Sequence, residues 1–103
     1  MDISTNISGD IHELIVSGRI DGAGANQLEV DVLAATRTPA KFIYINLSQA
    51  TFLCSAGLRV LLQYWRQMKG AGRSLQVSNP SPEVDSVLAM TGFRNQIVEG
   101  AQT

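Results

Sequence analysis

The sequence is poor in the residues that most often carry chemistry on their own. Cysteine occurs once, at Cys54, and histidine once, at His12, so no internal disulfide can form and no Cys/His cluster is available to hold a metal ion. A single thiol agrees with a reducing compartment. Neither sign of charge dominates: 8 Lys and Arg stand against 9 Asp and Glu, for a formal net charge of -1. That balance supplies no basic footprint for nucleic acid and no acidic tail. No apolar run approaches the roughly 20 residues of a membrane span, and Met1-Asp2-Ile3-Ser4-Thr5-Asn6 lacks the basic and apolar regions of an export signal. The expectation is a cytoplasmic chain with no membrane or nucleic-acid partner and no cofactor.

What remains is a sequence of 103 residues, 45% hydrophobic and 17% charged, enough for one core and one domain over residues 1–103. The chain is organised around Ile43 to Leu62. An apolar strand, Phe42 to Leu47, has hydrophobic residues on both alternating sets apart from Asn46, which predicts a central strand covered on two faces. A polar loop from Ser48 to Cys54 is expected next. Leu58, Leu61, Leu62, Trp65 and Met68 then fall at helical spacing, with Arg59, Arg66 and Lys69 on the other side. Ser55, just ahead of this helix, is a natural N-cap. Its hydroxyl, held near solvent at the positive end of a helix dipole, could equally accept a phosphate without disturbing the fold.

Around this centre, Ile3 to Ile7 and Ile11 to Val16 read as an antiparallel hairpin turned by Ser8-Gly9-Asp10. His12 is expected on the surface. Asp21 caps a helix bearing Ala25, Leu28, Val32 and Ala35 on one face, and Thr38-Pro39 stops it. The exposed Asp21 carboxylate could also pair with a basic group on a partner. Three glycines from Gly18 to Gly24 do not have the Gly-x-Gly-x-x-Gly spacing of a dinucleotide loop. After Gly70-Ala71-Gly72, Ser74 to Val77 predicts a strand. Ser81-Pro82 starts a helix with Val84, Val87 and Leu88 inward, Thr91-Gly92 closes it, and Gln96 to Val98 predicts a final strand. The fold class is a single α/β domain: a mixed, mostly parallel sheet with an N-terminal antiparallel hairpin and right-handed crossover helices.

Several stretches resemble the STAS domain of anti-sigma factor antagonists: Gly18-Arg19-Ile20-Asp21 with Leu28; Asn46-Leu47-Ser48 to Phe52; Ser55-Ala56-Gly57-Leu58; Gly70-Ala71-Gly72; and Ser81-Pro82 to Met90-Thr91-Gly92-Phe93. The resemblance implies partner switching. A serine at a helix N-terminus is phosphorylated by an anti-sigma factor that is itself a serine kinase of GHKL type, and a PP2C-type phosphatase reverses the modification. It would make Ser55 the phosphoacceptor and Gly57 the close-contact residue of the helical turn, with Asp21, Gly22, Phe52, Cys54, Ser55, Ala56, Gly57 and Arg59 forming the partner-binding surface of a protein that is not an enzyme. In the family's motif an aspartate stands where this chain has Cys54, and a second serine or threonine where it has Ala56. A STAS scaffold component without a phospho-switch would share the same fold.

A reading of another class competes. Cys54-Ser55-Ala56-Gly57-Leu58-Arg59 also matches the Cys-x-x-Gly-x-Arg loop of rhodanese-like sulfurtransferases, where a cysteine at a helix N-terminus is the nucleophile. That loop follows its strand directly, whereas the sequence suggests six residues, Ser48 to Leu53, between strand end and Cys54.

Overall fold

The structure, a computed structural model, describes residues 1–101. Its elements are β1 (Asp2–Ser8), β2 (Ile11–Ile20), α1 (Gly22–Thr36), β3 (Phe42–Leu53), α2 (Ser55–Gly70), β4 (Ser74–Ser78), α3 (Pro82–Thr91) and α4 (Arg94–Ile97). The sheet order is β1-β2-β3-β4. β1 runs antiparallel to β2, and the β2/β3 and β3/β4 pairs are parallel. The α/β class and the N-terminal hairpin expected from the sequence are what the structure contains.

Local chemistry sets each boundary. Gly9, at φ +58°, occupies the first position of a two-residue turn closed by the Ser8–Ile11 pair, a geometry that favours glycine there. The Asp21 carboxylate accepts from the Gly24 N–H at 2.9 Å and caps α1. Ala25, Leu28, Val32 and Ala35 are all buried on the inner stripe of that helix. Ser81 caps α3 by accepting from the Val84 N–H at 3.3 Å, while its own hydroxyl donates to the Ala50 carbonyl at 2.6 Å. Gly92, at φ +80°, ends α3 in the left-handed conformation that costs glycine least.

Helices α1 and α2 pack side by side over one face of the sheet. Leu14 and Val16 of β2, Ile43, Ile45 and Leu47 of β3, and Leu75 and Val77 of β4 point into that layer, together with Leu28 and Val32 of α1 and Leu61 and Met68 of α2. Trp65 and Leu58 pack against this core while staying partly exposed. The Tyr64 hydroxyl donates to Glu29 at 3.4 Å and joins the two helices. Burial first, and the neighbouring Glu29 carboxylate second, push the Tyr64 phenol above its ordinary pKa.

Four sequence expectations are corrected. The central strand is covered on one face only: Phe42 is 41% exposed, and Tyr44 and Asn46 are half-buried on the face opposite the helices. An apolar Phe42 and a Tyr44 that stack on one another, with ring centroids 6.4 Å apart, mimic in sequence the pattern of a strand buried on both sides. His12 is buried, at 7% exposure, with its Nδ1 unpartnered, because strand alternation puts it on the same face as Leu14 and Val16. The region Ser48 to Leu53 is the second half of β3 rather than a loop; two register shifts against β2 let polar Ser48, Gln49 and Thr51 face out while Ala50 and Leu53 stay buried. Finally, the expected strand at Gln96 to Val98 is the short helix α4 followed by a one-residue parallel bridge from Val98 to Val77.

One side chain braces the connection from α1 into β3. The Arg73 guanidinium donates to the carbonyls of Thr36 at 2.8 Å, Thr38 at 2.7 Å and Ala40 at 2.7 and 3.0 Å. These carbonyls include helix-terminal acceptors with no intrahelical partner. Replacing Arg73 by Met is expected to lower unfolding free energy by about 2 kcal/mol, the scale of charged hydrogen bonds, read as a reduced urea midpoint with an unchanged slope.

Candidate functional site

Two parallel strands end together and launch two helices. Ile20, the last residue of β2, pairs with Leu53, the last residue of β3, and the Cys54 N–H donates to the Ile20 carbonyl at 2.9 Å. The next residues, Asp21 and Cys54, are the N-caps of α1 and α2. Both helix N-termini therefore lie side by side at the carboxyl ends of the central strands, the position where open α/β sheets form their crevices. Asp21 and Gly22 come from the first of these turns, and Phe52, Cys54, Ser55, Ala56, Gly57 and Arg59 come from the second.

The cap of α2 differs from expectation. Cys54, not Ser55, has the extended cap conformation, and its Sγ accepts from the Gly57 N–H at 3.4 Å. Ser55 is the first residue of the helix proper and is exposed. A cap is defined by where the backbone leaves the helical region; β3 continuing through Leu53 brings that point one residue earlier than a loop would. The Ser55 hydroxyl is thus left free of any protein partner among the side-chain hydrogen bonds of the described residues.

Gly57 is fixed by packing. A Cβ at this position would lie 2.8 Å from Leu53 Cδ1 and 2.9 Å from Ile20 Cγ2, so only hydrogen fits where α2 crosses the ends of β2 and β3. Its absence lets the first turn of the helix sit down on the sheet. Arg59 lies one turn beyond Ser55, at the i+4 spacing that makes two residues neighbours on a helix surface, and is exposed. The first turn of α2 contains no acidic residue.

The sequence places Arg19 in a family-like stretch but gives it no role. Its register partner across the β2/β3 ladder is Phe52, and its guanidinium stands 4.3 Å from the centre of the Phe52 ring, a cation–π contact worth about 0.5–1 kcal/mol when exposed. Only the two register shifts bring these residues together, and nothing in linear spacing announces them. Beside them lies a shallow cavity of about 480 Å³ lined by Met1, Arg19, Asp21, Ala23, Gly24 and Gln27.

The spacing argument against a sulfurtransferase loop does not survive, because Cys54 follows β3 directly. The sulfur is instead engaged as the helix cap. Among the described residues no group of His, Cys, Asp and Glu could hold a metal ion, and no helix is long and apolar enough to cross a membrane.

A sequence profile of the STAS domain family matches residues 2–103. The BtrV protein of Bordetella bronchiseptica, which carries the name of an anti-sigma factor antagonist, is 28% identical over 78 residues, covering 76% of this chain and 67% of that protein. Among solved structures, an anti-sigma factor antagonist from Mycobacterium paratuberculosis superposes with a TM-score of 0.84 at 24% identity, over 93% of this chain and 81% of that one. The anti-sigma factor antagonist SpoIIAA in its unphosphorylated form gives 0.81 at 17% identity, over 98% of this chain and 90% of that one. SpoIIAA in its phosphorylated form gives 0.74 at the same 17% identity.

Two substitutions and one control test the local geometry. Gly57→Ala is expected to destabilise by about 1–3 kcal/mol through overpacking against Ile20 and Leu53, whereas Gly22→Ala, where an added Cβ meets nothing within 4 Å, serves as the tolerated control in the same thermal melts. Cys54→Asp should stabilise by about 1 kcal/mol, because a carboxylate is a stronger N-cap acceptor than a thiol, and raise the melting temperature by roughly 4–8 °C.

Proposed function

This chain belongs to the STAS domain family, and on that premise we propose that it is a cytoplasmic anti-sigma factor antagonist that works by partner switching. In its unmodified form it docks an anti-sigma factor serine kinase of GHKL type through the paired helix N-termini. The surface comprises Asp21, Gly22, Phe52, Cys54, Ser55, Ala56 and Arg59, while Gly57, expected among them, is buried and seats the helical turn from beneath. Within the complex the Ser55 Oγ attacks the γ-phosphorus of the kinase's ATP; the bond to the ADP oxygen breaks, and the hydroxyl proton passes to a base on the kinase. The phosphorylated protein is released, and a PP2C-type phosphatase hydrolyses the phosphoester to restore the hydroxyl.

The observation that carries this reading is the Ser55 hydroxyl itself. It is exposed at the first position of α2, while Gly57, two residues on, is buried against the core. Phosphoserine adds about -1.5 to -2 charges at neutral pH. At a helix N-terminus such charge is favourable by roughly 0.3–1 kcal/mol. Arg59 at i+4 adds a cation, and the first turn holds no carboxylate to oppose it. The modified fold is therefore stable. The interface pays instead: burying a dianion against a partner's apolar or acidic surface costs several kcal/mol, and each 1.4 kcal/mol is tenfold in affinity. The names of the similar proteins, and the existence of a phosphorylated form of one of them, support the same assignment.

The test combines site mapping with retention. The protein is incubated with a GHKL-type serine kinase of the same organism and ATP, and the modified residue is located by mass spectrometry. Phosphate is expected on Ser55, with at least a hundredfold loss of kinase affinity in the phosphoprotein. Ser55→Ala should stay bound when ATP is added. Phosphate on the exposed Thr51 instead, or equal retention of both forms, overturns the gate; the second result leaves a STAS scaffold without a switch.

A further inference from the structure

The two edges of the sheet are treated differently. On the β4 side, Val98 bridges to Val77, the Glu99 N–H donates to the Val77 carbonyl at 2.8 Å, and Lys69 and Arg73 flank the strand in the cavity lined by Trp65, Leu75 and Gln96. A covered, cation-flanked edge resists pairing with another chain. The β1 side has none of these devices. Asp2–Ser8 is seven residues long, pairs with β2 in unbroken register without a bulge, and contains no Lys, Arg or Pro. Ile7 on this edge is 63% exposed.

The direction of the free backbone groups follows from the hairpin. In a two-residue hairpin the closing pair, here Ser8 and Ile11, exchanges hydrogen bonds, and antiparallel ladders alternate from there. Asp2, Ser4, Asn6 and Ser8 therefore turn their N–H and C=O groups toward β2. Ile3, Thr5 and Ile7 turn theirs outward, on the side where β1 has no neighbouring strand. All three are β-branched, the side chains that suit a strand.

We propose that this edge pairs with the β1 edge of a second copy of the chain, antiparallel and with the two-fold axis at Thr5. In that register Thr5 faces Thr5 of the other copy, and Ile3 faces Ile7 and Ile7 faces Ile3, so the contact is self-complementary as a two-fold interface must be. The three outward-facing pairs exchange about six main-chain hydrogen bonds. Ile3 and Ile7 lie on the helix side of the sheet, opposite Val16 and His12, so the cross-copy isoleucine pairs extend the core layer from one sheet into the next. Asp2, the one charged residue of the strand, faces Ser8, and no like charges meet.

Length sets the strength. A seven-residue strand spans about 23 Å, and a single-strand contact of that length stays below the roughly 1,200 Å² of standard stable interfaces. The dimer therefore forms reversibly as concentration rises. Its surface is the far edge from β4, and it does not depend on the phospho-switch proposed above.

Sedimentation velocity of the whole chain between about 10 µM and about 1 mM, the range of weak complexes, should show the weight-average mass rising from monomer toward dimer. Amide exchange at Ile3, Thr5 and Ile7 should slow over the same range, while that of other exposed amides does not. Thr5→Pro removes an N–H that faces away from β2, and should hold the chain monomeric with its far-UV circular dichroism intact. Should that variant fail to fold, Ile7→Lys, which places a cation in the isoleucine pair, makes the same test. A chain that stays monomeric throughout, or a dimer that survives the variant and leaves these three amides unprotected, overturns the proposal.

Discussion

The pairing of Ile20 with Leu53 is the contact on which the rest of the molecule depends. Because β2 and β3 are parallel and finish at the same level, the chain leaves both strands in the same direction. Each exit meets the first turn of a helix, and Gly57 permits the second of those helices to rest directly on the two terminal side chains. The exposure of Ser55 follows from this packing. Rotation of α2 that would hide its hydroxyl would also lift Gly57 from Ile20 and Leu53, and the sheet would lose the lid over its carboxyl end.

Much of this architecture is legible in the sequence, and the parts that are not share a cause. Helix α1 is readable from Asp21 and the stripe Ala25, Leu28, Val32, Ala35, and α3 from Ser81-Pro82 and Gly92, because caps and periodicity are local signals. Strand β3 is half readable. Its first part is an apolar run, but after Asn46 the ladder slips against β2, and Ser48, Gln49 and Thr51 then look like a loop although they are one side of a strand. The error displaces the cap from Cys54 to Ser55 by a single residue. Arg19 over Phe52 lies beyond linear reading for the same reason, since the pair depends on the slipped register. His12 is different: its alternation with Leu14 and Val16 is legible in the sequence, and the period that places it inside outweighs its polar residue type.

Cysteine at the cap bears on the energetics of the proposed switch as well as on those of the helix. A carboxylate next to an acceptor serine would compete with a phosphate for the same helix dipole. A thiol accepts only a long bond from Gly57, so the first turn of α2 is weakly capped, and phosphorylation of Ser55 as proposed would place an anion there. That phosphate would supply to the dipole what the cap lacks. Arg59, one turn along, makes that end of the helix more receptive still.

The hydroxyl of Ser81 links two regions that are 31 residues apart in sequence. By donating to the Ala50 carbonyl while capping α3, it fastens that helix to the slipped half of β3, whose outward carbonyl would otherwise have no strand beside it. Helix α3 thus acts as a backstop for the segment that aims Ser55 at solvent. Fraying of the α3 start removes the cap and the strand's anchor in one event, so slack at this helix loosens the strand that leads into Cys54 and Ser55.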